Sequence, residues 1–395
     1  MLNNFFKRLL LPLLIILLAF GVYQYLRPVP SVTPVSQIAT VPQTKAINLP
    51  WPGSGQEAIG AHGYGVLASH NTDTPVPIAS IAKIITALAV LKQKPLTPGS
   101  QGPTITLNGT DVDLFNYYYS KNGSVAQVTN GEQISEFQAL ETMLLPSANN
   151  MADSLARWAF VSVNAYITYA NQMVKTMGLN HTTVGDANGF TDTTTSTADD
   201  LVKLGIAALD NPTIAQMVNQ SSAQVTGSGT IKNTNWLLGT DGVVGIKTGN
   251  TDKAGGCYLF AAQRNVSGRK ITLVGAVLAV PQINDAISAA KPLIEASDSG
   301  FQLIKVAYSG QTFGYYESKW GTIVPIRAAK DLSLLVWKGQ DIKLLNKPTT
   351  LRAPQKSGAN AGTLTAQSGQ QTASSSLVLG QDLSKPSWHW KIFRK

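Results

Sequence analysis

The chain has 395 residues, 44% of them hydrophobic, which allows two folded domains with substantial cores. The net charge is +9, but only 13% of the residues are charged, and no arginine cluster is interleaved with aromatic residues. We therefore expect no nucleic-acid partner, and an anionic membrane or cell-wall polymer fits the basic charge better. The single cysteine, Cys257, excludes an internal disulfide, and four scattered histidines exclude a zinc peptidase, so we expect no metal or cofactor.

The N-terminal segment, residues 9–26, is almost entirely apolar. Its length falls within the range of about 17–25 residues that a membrane-spanning helix needs. Lys7 and Arg8 precede it, so the positive-inside rule predicts a cytoplasmic N-terminus with the rest of the chain outside. The alternative is a cleaved signal peptide, but the run is long for one and Ala19-Phe-Gly21 is a weak cleavage site. We therefore expect a retained single-pass anchor in residues 1–27.

The next segments predict a linker and then a large domain. Residues 28–50 hold five prolines among serine, threonine and valine, a composition typical of an extended spacer. Residues 51–307 form the predicted domain, with strands at 51–70, helices from about 130 to 220 and strands again at 242–280. A sheet flanked by helices, with an all-helical lobe inserted, suits a cleft between the two.

A serine and a lysine lie three residues apart at the start of a predicted helix. The motif Ser80-Ile-Ala-Lys83 follows Pro75-Val-Pro77, which prevents helix before it and permits helix after it. Apolar residues at i, i+3, i+4 and i+7 from Ile81 form a buried stripe. Ser80 then lies in the first turn with Lys83 one turn later, which is the geometry that a nucleophile and its base need. Free N–H groups at the helix start favour an oxyanion there.

Two further motifs complete this set. Ser147-Ala-Asn149 follows an apolar helical run and a proline, at a predicted loop between two helices that is exposed enough to reach a cleft. Lys247-Thr-Gly249 ends the strand-like run 242–246. Here Lys247 supplies a fixed positive charge, Thr248 supplies a hydroxyl donor, and Gly249 lets a substrate approach the backbone.

Single matches to such motifs arise by chance, so their order and context carry the argument. Ser267-Gly-Arg-Lys270 repeats the first spacing, but it lies in a predicted hairpin turn before a strand, where residues i and i+3 point to opposite faces. Ser120-Lys-Asn122 repeats the second spacing in a turn among tyrosines. Taken in order, the three preferred motifs describe a serine acyl-transferase that uses lysine as its base.

The C-terminal part predicts one long helix at 285–307 and a small β-sandwich domain at 308–395 with no catalytic residue. Its strands are predicted at Thr322–Ile326, Leu332–Val336, Thr349–Arg352 and Leu377–Leu379. Residues 354–374, rich in glycine, serine, glutamine and alanine, predict a turn or flexible loop. In the tail 385–395, aromatics alternate with cations, which is typical either of a bilayer interface or of a final strand with a solvated end.

The chain resembles the D-alanyl-D-alanine carboxypeptidases, the low-molecular-mass penicillin-binding proteins. The likeness covers about residues 55–305. Beyond the three motifs it includes Ala79–Ala87, Gly131-Glu132, Ser196–Leu201, Thr251, Ala254 and Gly255. It implies an α/β fold in which an antiparallel sheet is flanked by helices with an inserted all-helical lobe, as in penicillin-binding transpeptidases and β-lactamases, plus a small C-terminal β-sandwich domain.

The resemblance also implies roles for the motif residues. Ser80 attacks the carbonyl of a D-Ala-D-Ala peptide while Lys83, kept neutral by burial and by Lys247, accepts its proton. Ser147 passes a proton to the leaving amine, and Asn149 binds the substrate amide.

Backbone N–H groups of Ser80 and Asn250 form the oxyanion hole by the same resemblance.

Two positions depart from the family pattern. Asn150 stands where an aspartate is usual, and residues 282–286 hold no arginine where members often carry one for the substrate carboxylate. Carboxylate binding is then left to the third motif.

We expect a serine-type D-Ala-D-Ala carboxypeptidase that trims the terminal D-Ala from peptidoglycan stem peptides through a Ser80 acyl-enzyme. We expect it to act outside a bacterial cell membrane and to be inhibited by β-lactam antibiotics. A β-lactamase is one alternative, but class A members need a glutamate between the second and third motifs, and none occurs between Glu141 and Glu295. A catalytically idle wall-binding module is another. The missing arginine favours it, and the intact Ser80, Lys83 and Lys247 oppose it.

Overall fold

The computed structural model describes residues 2–37 and 39–394, with side chains described from Leu10 onward. The chain forms two compact units, one of Ile47–Phe301 and one of Met1–Ala46 together with Gln302–Lys395. The structure thus divides the chain a few residues before the boundaries expected at 51 and 307, and the second unit contains the N-terminal segment.

The helices and strands are numbered in chain order. The helices are α1 (Leu2–Leu26), α2 (Ala82–Gln93), α3 (Gly109–Ser120), α4 (Glu136–Leu144), α5 (Asn149–Phe160), α6 (Val163–Thr176), α7 (Ala198–Asp210), α8 (Pro212–Val218), α9 (Ile283–Asp298) and α10 (Trp388–Phe393). The strands are β1 (Pro34–Ser36), β2 (Gln56–Ala61), β3 (Gly65–His70), β4 (Val76–Pro77), β5 (Thr104–Thr106), β6 (Gln133–Ser135), β7 (Thr195–Ser196), β8 (Ser222–Val225), β9 (Gly229–Lys232), β10 (Val243–Thr251), β11 (Gly255–Val266), β12 (Arg269–Val280), β13 (Phe301–Ala307), β14 (Thr312–Glu317), β15 (Ile323–Ala328), β16 (Leu332–Trp337), β17 (Lys343–Pro348), β18 (Asn360–Ser368) and β19 (Gln371–Leu379).

The unit Ile47–Phe301 is built on an antiparallel sheet of five strands in the order β10-β11-β12-β2-β3. Helices α7 and α9 pack against it, so β11 and β12 are buried along most of their length. The helices α2, α4, α5 and α6 pack on one another as a separate lobe. This arrangement confirms the predicted α/β class with an inserted helical lobe.

The second unit contains a six-stranded sheet in the order β1-β14-β15-β19-β18-β17 and the strand pair β13-β16. Two sequence expectations for the C-terminal part are wrong. The long helix expected at 285–307 ends at Asp298, because Gly300 disfavours its continuation, and Phe301–Ala307 forms strand β13 instead. The loop expected at 354–374 is largely strands β18 and β19, where Leu364 and Ala366 are buried on one face.

The segment expected to be a free linker is part of this β unit. Strand β1 pairs antiparallel with β14, and the buried Val32 forms an isolated β-bridge with Leu351. Instead of the strand expected at 349–352, the structure has this single bridge. Further on, the Gln43 side chain donates to the backbone oxygen of Ile342 at 3.1 Å. An extended proline-rich chain can add to a sheet edge, because an edge strand needs few of its N–H groups for pairing.

The C-terminal tail is a short helix, α10, and not the final strand that was one alternative. It packs against α1, with Lys391 Nζ 4.5 Å from the centre of the Tyr25 ring and Arg394 donating to the backbone oxygens of Gln24 and Arg27. Across the residues with described side chains, which begin at Leu10 in α1, no helix is long and apolar enough to span a bilayer. The predicted flanking charges Lys7 and Arg8 lie outside those residues.

We predict that Val32→Asp destabilises the β unit by several kcal/mol, since Val32 is 3% exposed and the new carboxylate would be buried without a partner. Thermal unfolding of the full chain measures the effect. Val35→Asp, three residues along and 43% exposed, is the matched control and should unfold close to the parent. Equal transition temperatures for the two variants would show that this segment does not belong to the folded unit.

Candidate active site

Ser80 lies in a tight turn directly before α2. A 3-10 turn, Ala79–Ile81, follows β4 and runs into α2 at Ala82. Ala79 has a φ of +46°, which is in the left-handed region that side chains other than glycine rarely adopt. Ser80 and Lys83 therefore lie one turn apart at the start of the helix, as the spacing predicted.

Two glycines allow the surroundings to close on this turn. A Cβ on Gly189 would lie 1.8 Å from the Ala79 carbonyl oxygen, and a Cβ on Gly249 would lie 2.8 Å from the Ser80 nitrogen. A loop and strand β10 thus reach the turn closely enough that only glycine fits at both positions. For Gly249 this differs from the sequence interpretation, because the space that a side chain would take is filled by the Ser80 backbone.

Lys83 is completely buried and makes three polar contacts. Its Nζ lies 2.7 Å from Ser80 Oγ, 2.7 Å from Asn149 Oδ1 and 2.9 Å from the Asn188 backbone oxygen. The two oxygens of Asn149 and Asn188 can only accept. A neutral amine has two hydrogens for them and one lone pair for the Ser80 hydroxyl proton, so the geometry suits a base that activates Ser80.

Electrostatics favour the same protonation state. Burial lowers the pKa of Lys83 well below its usual value, and the charge of Lys247 lowers it further, against weaker opposite effects of Asp186 and Asp153. Burial also lowers the pKa of Lys247 to about 7. A carboxylate bound beside Lys247 would favour its protonated form.

The second motif forms the loop between α4 and α5. Ser147 is buried, with a φ of +66°, and Asn149 opens α5. The Asn150 side chain accepts from the Ala126 nitrogen at 3.0 Å and donates to the Ala126 oxygen at 2.9 Å. An aspartate can make only the first of these bonds, which explains why asparagine suits this position.

A cleft of about 500 Å³ opens beside Ser80. Ser80, Asn250 and the largely buried Asn149 line it, whereas its described lining does not include the buried residues Lys83, Ser147, Lys247, Thr248 and Gly249. Thr248 Oγ1 lies 2.6 Å from the hydroxyl of Thr234, which the sequence argument did not include. The remaining lining residues are Lys121, Asn122, Gly123, Ser124, Gly189, Phe190, Asp192, Thr251, Asp252 and Lys253.

Sequence reasoning missed most of this lining. Lys121 and Asn122 belong to a triplet set aside as a chance match. Their surface loop, Lys-Asn-Gly-Ser, carried the signal, since polar glycine-containing loops often line sites. In the segment without arginine, Asn284 accepts from the Trp236 ring nitrogen at 3.3 Å.

Ser80 is hydrogen-bonded to the buried Lys83 at the start of a helix in a unit built on an antiparallel sheet. This arrangement defines the class of active-site serine enzymes that use lysine as the base. A model of the D-alanyl-D-alanine carboxypeptidase family matches residues 58–279. The chain therefore belongs to this family, which confirms the family, the fold class and the serine D-Ala-D-Ala carboxypeptidase function predicted from sequence.

Individual relatives agree with this assignment. D-alanyl-D-alanine endopeptidase of Pseudomonas aeruginosa is 30% identical over 53% of the chain and 67% of its own length. D-alanyl-D-alanine carboxypeptidase of Streptomyces sp. (strain K15) is 31% identical over 53% of the chain and 75% of its own length. The crystal structure of penicillin binding protein 5 from Haemophilus influenzae shares the fold, with a TM-score of 0.60 and 21% identity over 88% of this chain and 100% of its own.

We predict that Lys83→Ala slows acylation by a fluorescent penicillin by about 10²–10⁴-fold, the usual contribution of a general base. In the parent, the rate should rise with pH and level off far below the usual lysine pKa, because burial favours the neutral amine. Lys92→Ala, which changes an exposed lysine on the same helix, should leave rate and pH profile unchanged. Parent-like acylation by Lys83→Ala would contradict the lysine-base assignment.

Proposed function

We propose that the enzyme removes the terminal D-Ala from peptidoglycan stem peptides through an acyl-enzyme on Ser80. The observation that carries this proposal is the 2.7 Å contact between Ser80 Oγ and the completely buried Nζ of Lys83. Lys83 takes the hydroxyl proton as Ser80 Oγ bonds to the carbonyl carbon of the penultimate D-Ala. The C–N bond then breaks, and Ser147 relays a proton to the departing amine.

Substrate binding follows from the groups around Ser80. The Asn149 side-chain oxygen bonds to Lys83, which leaves its amide N–H groups to donate to a substrate carbonyl. The backbone N–H groups of Ser80 and Asn250 hold the oxyanion. Water then hydrolyses the Ser80 ester, and the shortened peptide leaves.

A free terminal carboxylate distinguishes a carboxypeptidase substrate from a cross-link. Lys247 and Thr248 are its proposed partners, because binding an anion would favour the charged form of Lys247. On the cleft wall the two lysines Lys121 and Lys253 are balanced by Asp192 and Asp252, so the wall does not replace the positive charge of the family's arginine. Since the relatives' names include both carboxypeptidases and endopeptidases, endopeptidase activity on cross-links is the second candidate.

We also propose that α1 anchors the enzyme in the bacterial membrane, with both folded units outside. The first support is the length of α1, which has 25 residues. Its side chains from Leu10 to Leu18, apart from Pro12, are apolar and at least half exposed. The basic pair at positions 7 and 8 of the sequence is the second support.

The substrate prediction is tested by mass spectrometry of a D-Ala-D-Ala pentapeptide after incubation. We expect loss of one D-Ala with the parent and none with Ser80→Ala, which should also lose covalent penicillin labelling. Ser267→Ala is the matched control, because it removes the serine of the exposed chance motif. Labelling that persists in Ser80→Ala would contradict the nucleophile assignment.

The outcomes also separate the alternatives. Rapid penicillin hydrolysis with an intact pentapeptide would identify a β-lactamase. Binding with neither acylation nor peptide cleavage would identify an idle module.

N-terminal sequencing of the mature protein from membranes tests the anchor. We expect the sequence to start at or near residue 1, since a retained helix needs its apolar length. A start between residues 20 and 30 would indicate a cleaved signal peptide, and membrane attachment would then depend on the C-terminal tail.

A further inference from the structure

Behind Lys83 lies a buried group of three side chains, Tyr118, Asp153 and Asn188, which we call the Asp153 cluster. The Tyr118 hydroxyl donates to Asp153 Oδ2 at 2.7 Å. The Asn188 amide nitrogen donates to the Tyr118 oxygen at 2.7 Å and to Asp153 Oδ1 at 3.1 Å. The cluster therefore joins α3, α5 and the loop after α6, and none of its residues is among the described lining of the cleft.

Asn188 connects this cluster to the lysine. Its backbone oxygen accepts from Lys83 Nζ, and its side-chain oxygen accepts from the Phe190 nitrogen at 2.8 Å. Both amide hydrogens of Asn188 are engaged by Tyr118 and Asp153. These bonds therefore help to fix the direction of the carbonyl that faces Lys83.

The same loop is held from the other side by α2. The Thr86 hydroxyl, one turn after Lys83, donates to the Ala187 oxygen at 2.6 Å. Helix α2 therefore donates hydrogen bonds to the successive backbone oxygens of Ala187 and Asn188. On the other side of the loop, the Asn188 side chain is held by the other members of the Asp153 cluster. Small shifts of the loop would move the Lys83 amine relative to Ser80.

Asp153 also affects Lys83 electrostatically. Burial raises the pKa of Asp153 to about 6, against the opposing hydrogen bond from Tyr118 and with a further increase from Asp186. In its charged form Asp153 raises the pKa of Lys83, as Asp186 does, and both oppose Lys247.

We propose that Asp153 is a positioning residue for the catalytic lysine, acting through Asn188 to hold the carbonyl that fixes Lys83 between Ser80 and Asn149. This inference rests on the proposed role of Lys83 as the base. It assigns a function to a carboxylate that lies outside all three sequence motifs.

The test is the pH dependence of penicillin acylation in the full-length chain, for the parent, Asp153→Asn and Tyr118→Phe. Asp153→Asn keeps the side-chain shape but removes the charge and one acceptor. We expect a plateau rate about tenfold lower, as for loss of one hydrogen bond, and a midpoint of the pH profile shifted to lower pH. Tyr118→Phe removes a donor from the carboxylate, so it should shift the midpoint in the same direction by less.

Ser154→Ala is the matched control. Ser154 neighbours Asp153 on α5 and is also buried, but its hydroxyl donates to Asp111 at 2.6 Å. It should reduce thermal stability without moving the midpoint. If Asp153→Asn, or Tyr118→Phe where the first variant does not fold, keeps the parent plateau rate, the proposal is overturned. A lower plateau together with a midpoint shift that Ser154→Ala lacks supports it. Failure of the parent itself to acylate at Ser80 would instead refute the proposed function.

Discussion

The burial of one lysine amine constrains the rest of this active site. A buried ammonium without a counter-charge in contact is costly, so the protein stabilises Lys83 in the neutral form. A neutral amine has few hydrogens, and the site provides matching partners in Asn149 and Asn188. The second motif and the loop after α6 must both converge on α2 for this to occur.

Close packing around the nucleophile has a cost in backbone conformation. Ala79 and Ser147 both have positive φ, and such residues cost on the order of 1–3 kcal/mol each when the conformation is sparsely populated. At Ala79, strand β10 at Gly249 and the loop at Gly189 hold this conformation because they leave the turn no space to relax.

The sequence revealed the parts of the site that depend on local spacing. Ser80 and Lys83 are three residues apart on one helix, so periodicity alone placed them together. Asn188 lies 105 residues beyond Lys83, and Asp153 lies 35 residues from both Tyr118 and Asn188, so these contacts depend on tertiary packing that no short pattern encodes. In the fold, the strand predicted at Leu377–Leu379 is the end of β19, whereas β18 and the start of β19 escaped prediction because small polar residues fill their outward face and hide the alternation. The edge strand β1 escaped because proline-rich composition is shared by linkers and sheet edges.

The pairing of β1 with β14 has a consequence for how the chain acquires its structure during synthesis. The two strands are separated in sequence by the whole of Ile47–Phe301, so the β unit is interrupted by the catalytic unit. A nascent chain emerges N-terminus first, and all residues of the catalytic unit are available before β14 exists. Strand β1 therefore has no β14 to pair with until the whole catalytic unit has emerged, so the β unit can close only after that unit has been synthesised.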